Sequence, residues 1–307
     1  MGNYDWSKDD IKQKIKLIES FEDKEKYLSD ISTLNSMLNK TTENRNATNT
    51  IREQLESKKD GFKEWITDFI KSVEANGTQL DIPPFRFNYL SNDDCLMLVH
   101  DFYKTRHPHI YENFVKEFDK KDTNLRMKES LFYSSSVTYY INCFNQIYID
   151  IEKSNSIFDV VNLAHEYGHA VGIRINNDIM NNDYFLIIDD IEGEYFQLEF
   201  INWLINNNIY PKDAVLSKLY INQRMYCKAR YLEHMYNLQK LSYLISYLTS
   251  IELNYSDQKD ELFIRLITHK PNSIDNMLSV LNDFIVLNKS ASTYQKALKK
   301  EANQYFV

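Results

Sequence analysis

Over residues 6–39 apolar side chains recur at helical spacing, at Ile11, Ile15, Ile18, Tyr27, Ile31, Leu34 and Leu38, which predicts helix. The polar stretch 41–48 reads as a turn, and a second helix is expected over about 50–75, closed by Asn76-Gly77. Pro83-Pro84 marks an extended connector, and residues 91–118 read as two helices joined near His107-Pro108. The period then changes. Over 131–151 β-branched and aromatic residues dominate, and Ile147, Ile149 and Ile151 alternate with Tyr148 and Asp150, which is strand periodicity. A hairpin turning near 142–145 is expected. Beyond Ser156 the pattern is helical again, with breaks at Pro211 and Pro271. The chain shows no internal repeat, low-complexity tract or clear linker. The fold class predicted is mainly α with one small β-sheet, residues 1–80 forming a helical cap on residues 81–307.

Composition narrows the partners. The 6 Gly and 5 Pro in 307 residues leave long helices uninterrupted, as the periodicity requires. With 44 acidic against 36 basic side chains the net charge is -8, and no Lys/Arg block overcomes it locally, so nucleic acid is not expected as a partner. No apolar run approaches the ~20 residues of a membrane-spanning helix, and residues 1–10 lack the features of a secretory signal. Cys95, Cys143 and Cys227 are odd in number and dispersed, fitting neither a disulfide framework nor a thiolate metal site. A reducing cytoplasm is the expected location.

The chemistry concentrates in Asn162-Leu163-Ala164-His165-Glu166-Tyr167-Gly168-His169-Ala170. Residues four apart on an α-helix differ by only ~40° in azimuth, so both imidazoles leave one face, one turn apart. That suits two ligands of one tetrahedral Zn²⁺, with Glu166 beside them as general base for an activated water. Ser156 or Asn155 can cap this helix. A third ligand is expected in the carboxylate-rich stretch 189–199, where Glu192 follows His169 by 23 residues. Glu194 is the rival third ligand, and Glu199, two turns beyond Glu192, could support the site. Gly168 and Gly172 would admit another backbone close to the helix.

These blocks resemble the thimet oligopeptidase and oligoendopeptidase F family of zinc peptidases. Residues 163–170 are similar to its Leu-Ala-His-Glu-Leu-Gly-His-Ser/Ala, and Glu192 with Glu199 resembles its ligand helix, a zinc-binding Glu with another Glu seven residues on. The stretch ending Ile147-Tyr148-Ile149-Asp150 resembles a strand that in the family borders the cleft and pairs with bound peptide. His234-Met235-Tyr236 and residues 242–250 resemble its His-Phe-Tyr and Tyr-rich run, which implies His234, Tyr243 and Tyr247 as donors to the substrate oxyanion. The chain departs from the pattern at Ile245, which takes a family Tyr position, and at Gly193, Glu194 and Tyr195. It is also about half the family's usual length. The resemblance implies a gluzincin-like helical catalytic domain that cleaves short, unstructured peptides, with the sheet beside the zinc-binding helix. Alternatives are a carboxypeptidase- or aminopeptidase-like zinc enzyme of another gluzincin group, or a peptide-binding protein without turnover.

Overall fold

Short polar side chains set the helix starts. Ser7 and Ser91 each accept a hydrogen bond from the N–H three residues on, and the Asp at that position reaches back to the serine N–H. Each reciprocal pair satisfies two donors that a helix end leaves open. A computed structural model describes residues 7–39, 49–78, 90–117, 123–130, 135–176, 182–285 and 289–306. The expected turn at 41–48, the Pro83-Pro84 connector and residues 131–134 lie outside them. The fold is mainly α with one three-stranded sheet. No helix among the described residues is long and apolar enough to cross a membrane.

Two of the expected helices are each split. Residues 6–39 give Lys8–Glu19 and Leu28–Asn39, with a short 3-10 turn at Lys24–Tyr27 between them. Ser20 Oγ donates to the Leu17 carbonyl at 2.6 Å, and the charged run 22–26 offers no apolar anchor to carry the helix on. Likewise residues 50–75 give Asn49–Ser57 and Lys59–Asn76, and Ser57 Oγ donates to the Gln54 carbonyl at the break. Gly77 ends the second helix at φ 61°, the left-handed conformation that glycine adopts without steric cost.

The chain folds as two units, Met1–Asn46 with Phe87–Val171, and Ala47–Arg86 with Gly172–Val307. Contacts therefore do not divide at residue 80. Leu28–Asn39 packs on the sheet of the first unit, whereas Lys59–Asn76 packs on Pro211–Leu232 and Lys289–Phe306 in the second. Its buried stripe of Phe62, Ile66, Phe69, Ile70 and Val73 fixes that choice.

In the first unit the strands are β1 (Thr123–Glu129), β2 (Ser135–Ile141) and β3 (Gln146–Lys153), in the order β1-β3-β2. β2 and β3 form the expected antiparallel hairpin, turning at 142–145 with Asn145 left-handed at φ 51°. The Asp30 carboxylate accepts the N–H groups of Asn142 (2.8 Å) and Cys143 (3.0 Å) and so fixes the turn. β1 pairs parallel to β3 and lies outside the stretch whose composition marked a sheet. Its buried Leu125 and Met127 alternate with polar neighbours, too short a signal to separate from helix. A buried Arg126–Asp150 ion pair joins β1 to β3. Tyr139, Ile141 and Tyr148 pack with Ile11, Ile18, Leu34 and Met37 on one face of the sheet. Side chains alternate along a strand, so Thr138 points to the other face.

The second unit is helical among its described residues, with Ile191–Asn206, Pro211–Leu232 and Leu238–Asn254 packed on one another. Pro211 takes the first helical position of its helix, where its missing N–H costs nothing, and Pro271 precedes Ile274–Ile285.

Candidate metal centre

The helix Ile157–Ile175 carries the two histidines. Asp159 pins its first turn by accepting the N–H groups of Ser154 (2.9 Å) and Ser156 (3.0 Å), the reach of a third helical residue back to an N-cap at Ser156. From residue 157 to 173 every residue is buried except His165 and His169. Their Nε2 atoms converge to 3.1 Å, with ring planes 80° apart. Two nitrogens ~2.05 Å from one tetrahedral zinc sit ~3.3 Å apart, close to this separation. The pair thus holds the spacing that a shared metal needs.

Between them Glu166 is 3% exposed. The Thr138 hydroxyl donates to its Oε2 at 2.6 Å, tying the carboxylate to β2. Thr138 carries no mark in the sequence. Only the β2–β3 register, Thr138 opposite Ile149, turns it toward the helix. The same register corrects the expected peptide-pairing strand: β3 is paired on both sides, and β2 is the edge that borders Glu166.

In the second unit the helix Ile191–Asn206 buries four carboxylates, Asp190 at its N-cap, Glu192, Glu194 and Glu199. Buried carboxylates need compensation, and their neighbours differ. Glu192 lies against Gly172, on the C-terminal part of Ile157–Ile175. A Cβ added at Gly172 would come within 2.5 Å of Glu192 Cγ and 3.1 Å of Oε1. Gly172 follows His169 by three residues and His165 by seven, so it belongs to the histidine face. The close approach expected at Gly172 is thus made by a side chain, that of Glu192, and not by a backbone. Glu194 and Asp190 act on the Lys228 ammonium, favouring its charge. Glu199 pairs with Lys259 at 2.5 Å, so its described partner is a lysine. Gly172→Ala is expected to keep the fold and lower zinc affinity by about 10–100-fold, the loss typical when a ligand's support is disturbed, as measured by competition with a zinc chelator.

The aromatic block divides. Tyr243 is half-buried, and the Lys228 Nζ lies 3.8 Å from its ring centroid. His234 is exposed, past the end of Pro211–Leu232. Tyr247 is fully buried, with its hydroxyl 2.9 Å from Tyr294 Oη and 3.3 Å from Asn222 Oδ1. Gln295 Nε2 donates to the same Asn222 oxygen at 2.7 Å, and Thr78 Oγ1 donates to Gln295 Oε1. This corrects the expected oxyanion role of Tyr247: its hydroxyl is consumed in a closed core network. Tyr247→Phe should cost about 1–3 kcal/mol of stability by stranding its partners, with kcat unchanged, in denaturant melts run beside steady-state kinetics. Tyr243→Phe should do the reverse, losing about 10²–10³-fold in kcat with little change in stability.

Comparison with models of known families, with curated proteins and with solved structures gives no match. The functional reading therefore stands on the residues themselves.

Proposed function

We propose that this chain is a zinc-dependent endopeptidase of the oligoendopeptidase type, acting on short unstructured peptides, with His165, His169 and Glu192 as the metal ligands. One observation carries the reading: on an otherwise buried helix, two imidazole nitrogens converge to 3.1 Å with a buried, hydrogen-bonded Glu166 beside them. A donor set of two imidazoles and one carboxylate suits zinc, and Gly172 provides the space that Glu192 needs. When bound, zinc supplies Lewis-acid polarisation of a carbonyl and lowers the pKa of a water molecule.

The chain's own residues do the rest. Glu166 takes a proton from the attacking water and passes it to the leaving amine. The Thr138 hydroxyl fixes one carboxylate oxygen of Glu166, so the other is left to receive that proton. β2 offers the open edge on which an extended peptide can pair through its backbone. Tyr243 and His234 are the donors assigned to the oxyanion. The three unpaired cysteines support a cytoplasmic location.

The test is elemental analysis of the purified chain together with hydrolysis of a mixed peptide library. About one zinc per chain and internal cleavage of peptides are expected. Release of single terminal residues would point to an aminopeptidase or carboxypeptidase of another gluzincin group. Zinc without any cleavage would leave a binding protein, and no zinc would overturn the reading.

A further inference from the structure

Around the junction of Pro211–Leu232 and Leu238–Asn254, three cations rest on aromatic rings. The Arg224 guanidinium lies 5.8 Å from the Tyr220 ring centroid, Lys228 Nζ 3.8 Å from Tyr243, and Lys240 Nζ 4.8 Å from Tyr231. Among the described residues none of the three forms an ion pair with a carboxylate, and the hydrogen-bonding neighbour of Lys228 Nζ is the Met225 sulfur at 3.9 Å. Arg230, on the same helix, shows the contrast, since it pairs with Glu233 at 2.7 Å.

Lys228 feels both of the other charges. Burial, and then repulsion from Arg224 and Lys240, hold the Lys228 ammonium down to about 8, while Glu194 and Asp190 pull the other way. Like charges held together without an ion-pair partner cost free energy that an incoming anion relieves. The face is reachable, with Arg224 exposed and Tyr231 37% exposed. The chain as a whole carries -8 and repels acidic peptides, so attraction here is local.

We propose that this face binds a carboxylate of the peptide substrate, at the cationic heads of Arg224, Lys228 and Lys240. The inference rests on the peptidase reading for what carries the carboxylate, which is either the peptide C-terminus or an Asp or Glu side chain. It makes the preferred substrates anionic.

The experiment uses the full chain with Glu166→Gln, so that binding is read without turnover. Fluorescence anisotropy is measured with four labelled peptides of one sequence: free C-terminus, C-terminal amide, amide with one internal Glu, and amide with Gln at that position. Loss of the last carboxylate should weaken binding about tenfold, the effect of one charge-assisted hydrogen bond. The peptide whose charge matters identifies the source of the carboxylate. Lys228→Met should remove the preference. If that variant does not fold, Arg224→Gln with Lys240→Gln should reduce it several-fold, because each removes one of the positive charges. Equal binding of all four peptides, no binding at all, or a preference that survives these variants overturns the proposal. A charge preference in a chain that hydrolyses nothing would sink the peptidase reading alone, and hydrolysis without preference would sink this one alone.

Discussion

A chain with Glu166→Gln is expected to fold, hold zinc and lose turnover by about 10²–10⁴-fold. Gln has the same shape as Glu, and its side-chain oxygen can still accept the Thr138 hydroxyl at the 2.6 Å contact that anchors position 166 to β2. Packing is therefore preserved around a side chain that is only 3% exposed. What disappears is the capacity to take a proton. Because Glu166 is not among the proposed ligands, zinc content should match the unaltered chain, and the melting temperature should move little. Single-turnover kinetics on a cleavable peptide separates the two effects: binding persists while the chemical step slows. Hydrolysis at the normal rate by this variant excludes Glu166 as the base and, with it, the proposed mechanism.

Much of this was legible in the chain because its signals are local. Two histidines four apart on an apolar helix share one face one turn apart by helical pitch, and from there their Nε2 atoms converge to 3.1 Å. The β2–β3 hairpin was visible in the alternation of Ile147, Ile149 and Ile151. What could not be read was set by partners distant in sequence. Thr138 acquires a role only through strand register, and β1 becomes a strand only because β3 offers it an edge. Tyr247 and Tyr243 sit four residues apart on one helix and look alike as letters. The first meets Tyr294 and Asn222 in the core, the second meets the Lys228 ammonium, and only the packing separates them. The helix breaks at Ser20 and Lys58 went unmarked for a different reason. Serine hydroxyls can cap or continue a helix with nearly equal ease, so periodicity alone does not decide.

His169→Ala or His165→Ala is expected to abolish zinc binding and, with it, all metal-dependent hydrolysis. Each removes one of the three proposed protein ligands, and zinc held by only two lacks the coordination of a stable site. The loss should exceed the ~10–100-fold that follows when only a supporting partner is removed. The third ligand is decided by comparing two conservative changes on one helix turn. Glu192→Gln should lower zinc occupancy almost as far as a histidine change, because it takes the proposed third ligand, the carboxylate that lies against Gly172. Glu194→Gln should leave zinc in place. It removes instead a negative charge that favours the Lys228 ammonium, so the Lys228 pKa, already held down to about 8, should fall further. Elemental analysis reads the first effect, and the titration of Lys228 by NMR reads the second. Full zinc occupancy in His169→Ala defeats the metal assignment. Zinc lost in Glu194→Gln but kept in Glu192→Gln moves the third ligand to Glu194 and leaves the histidine pair standing.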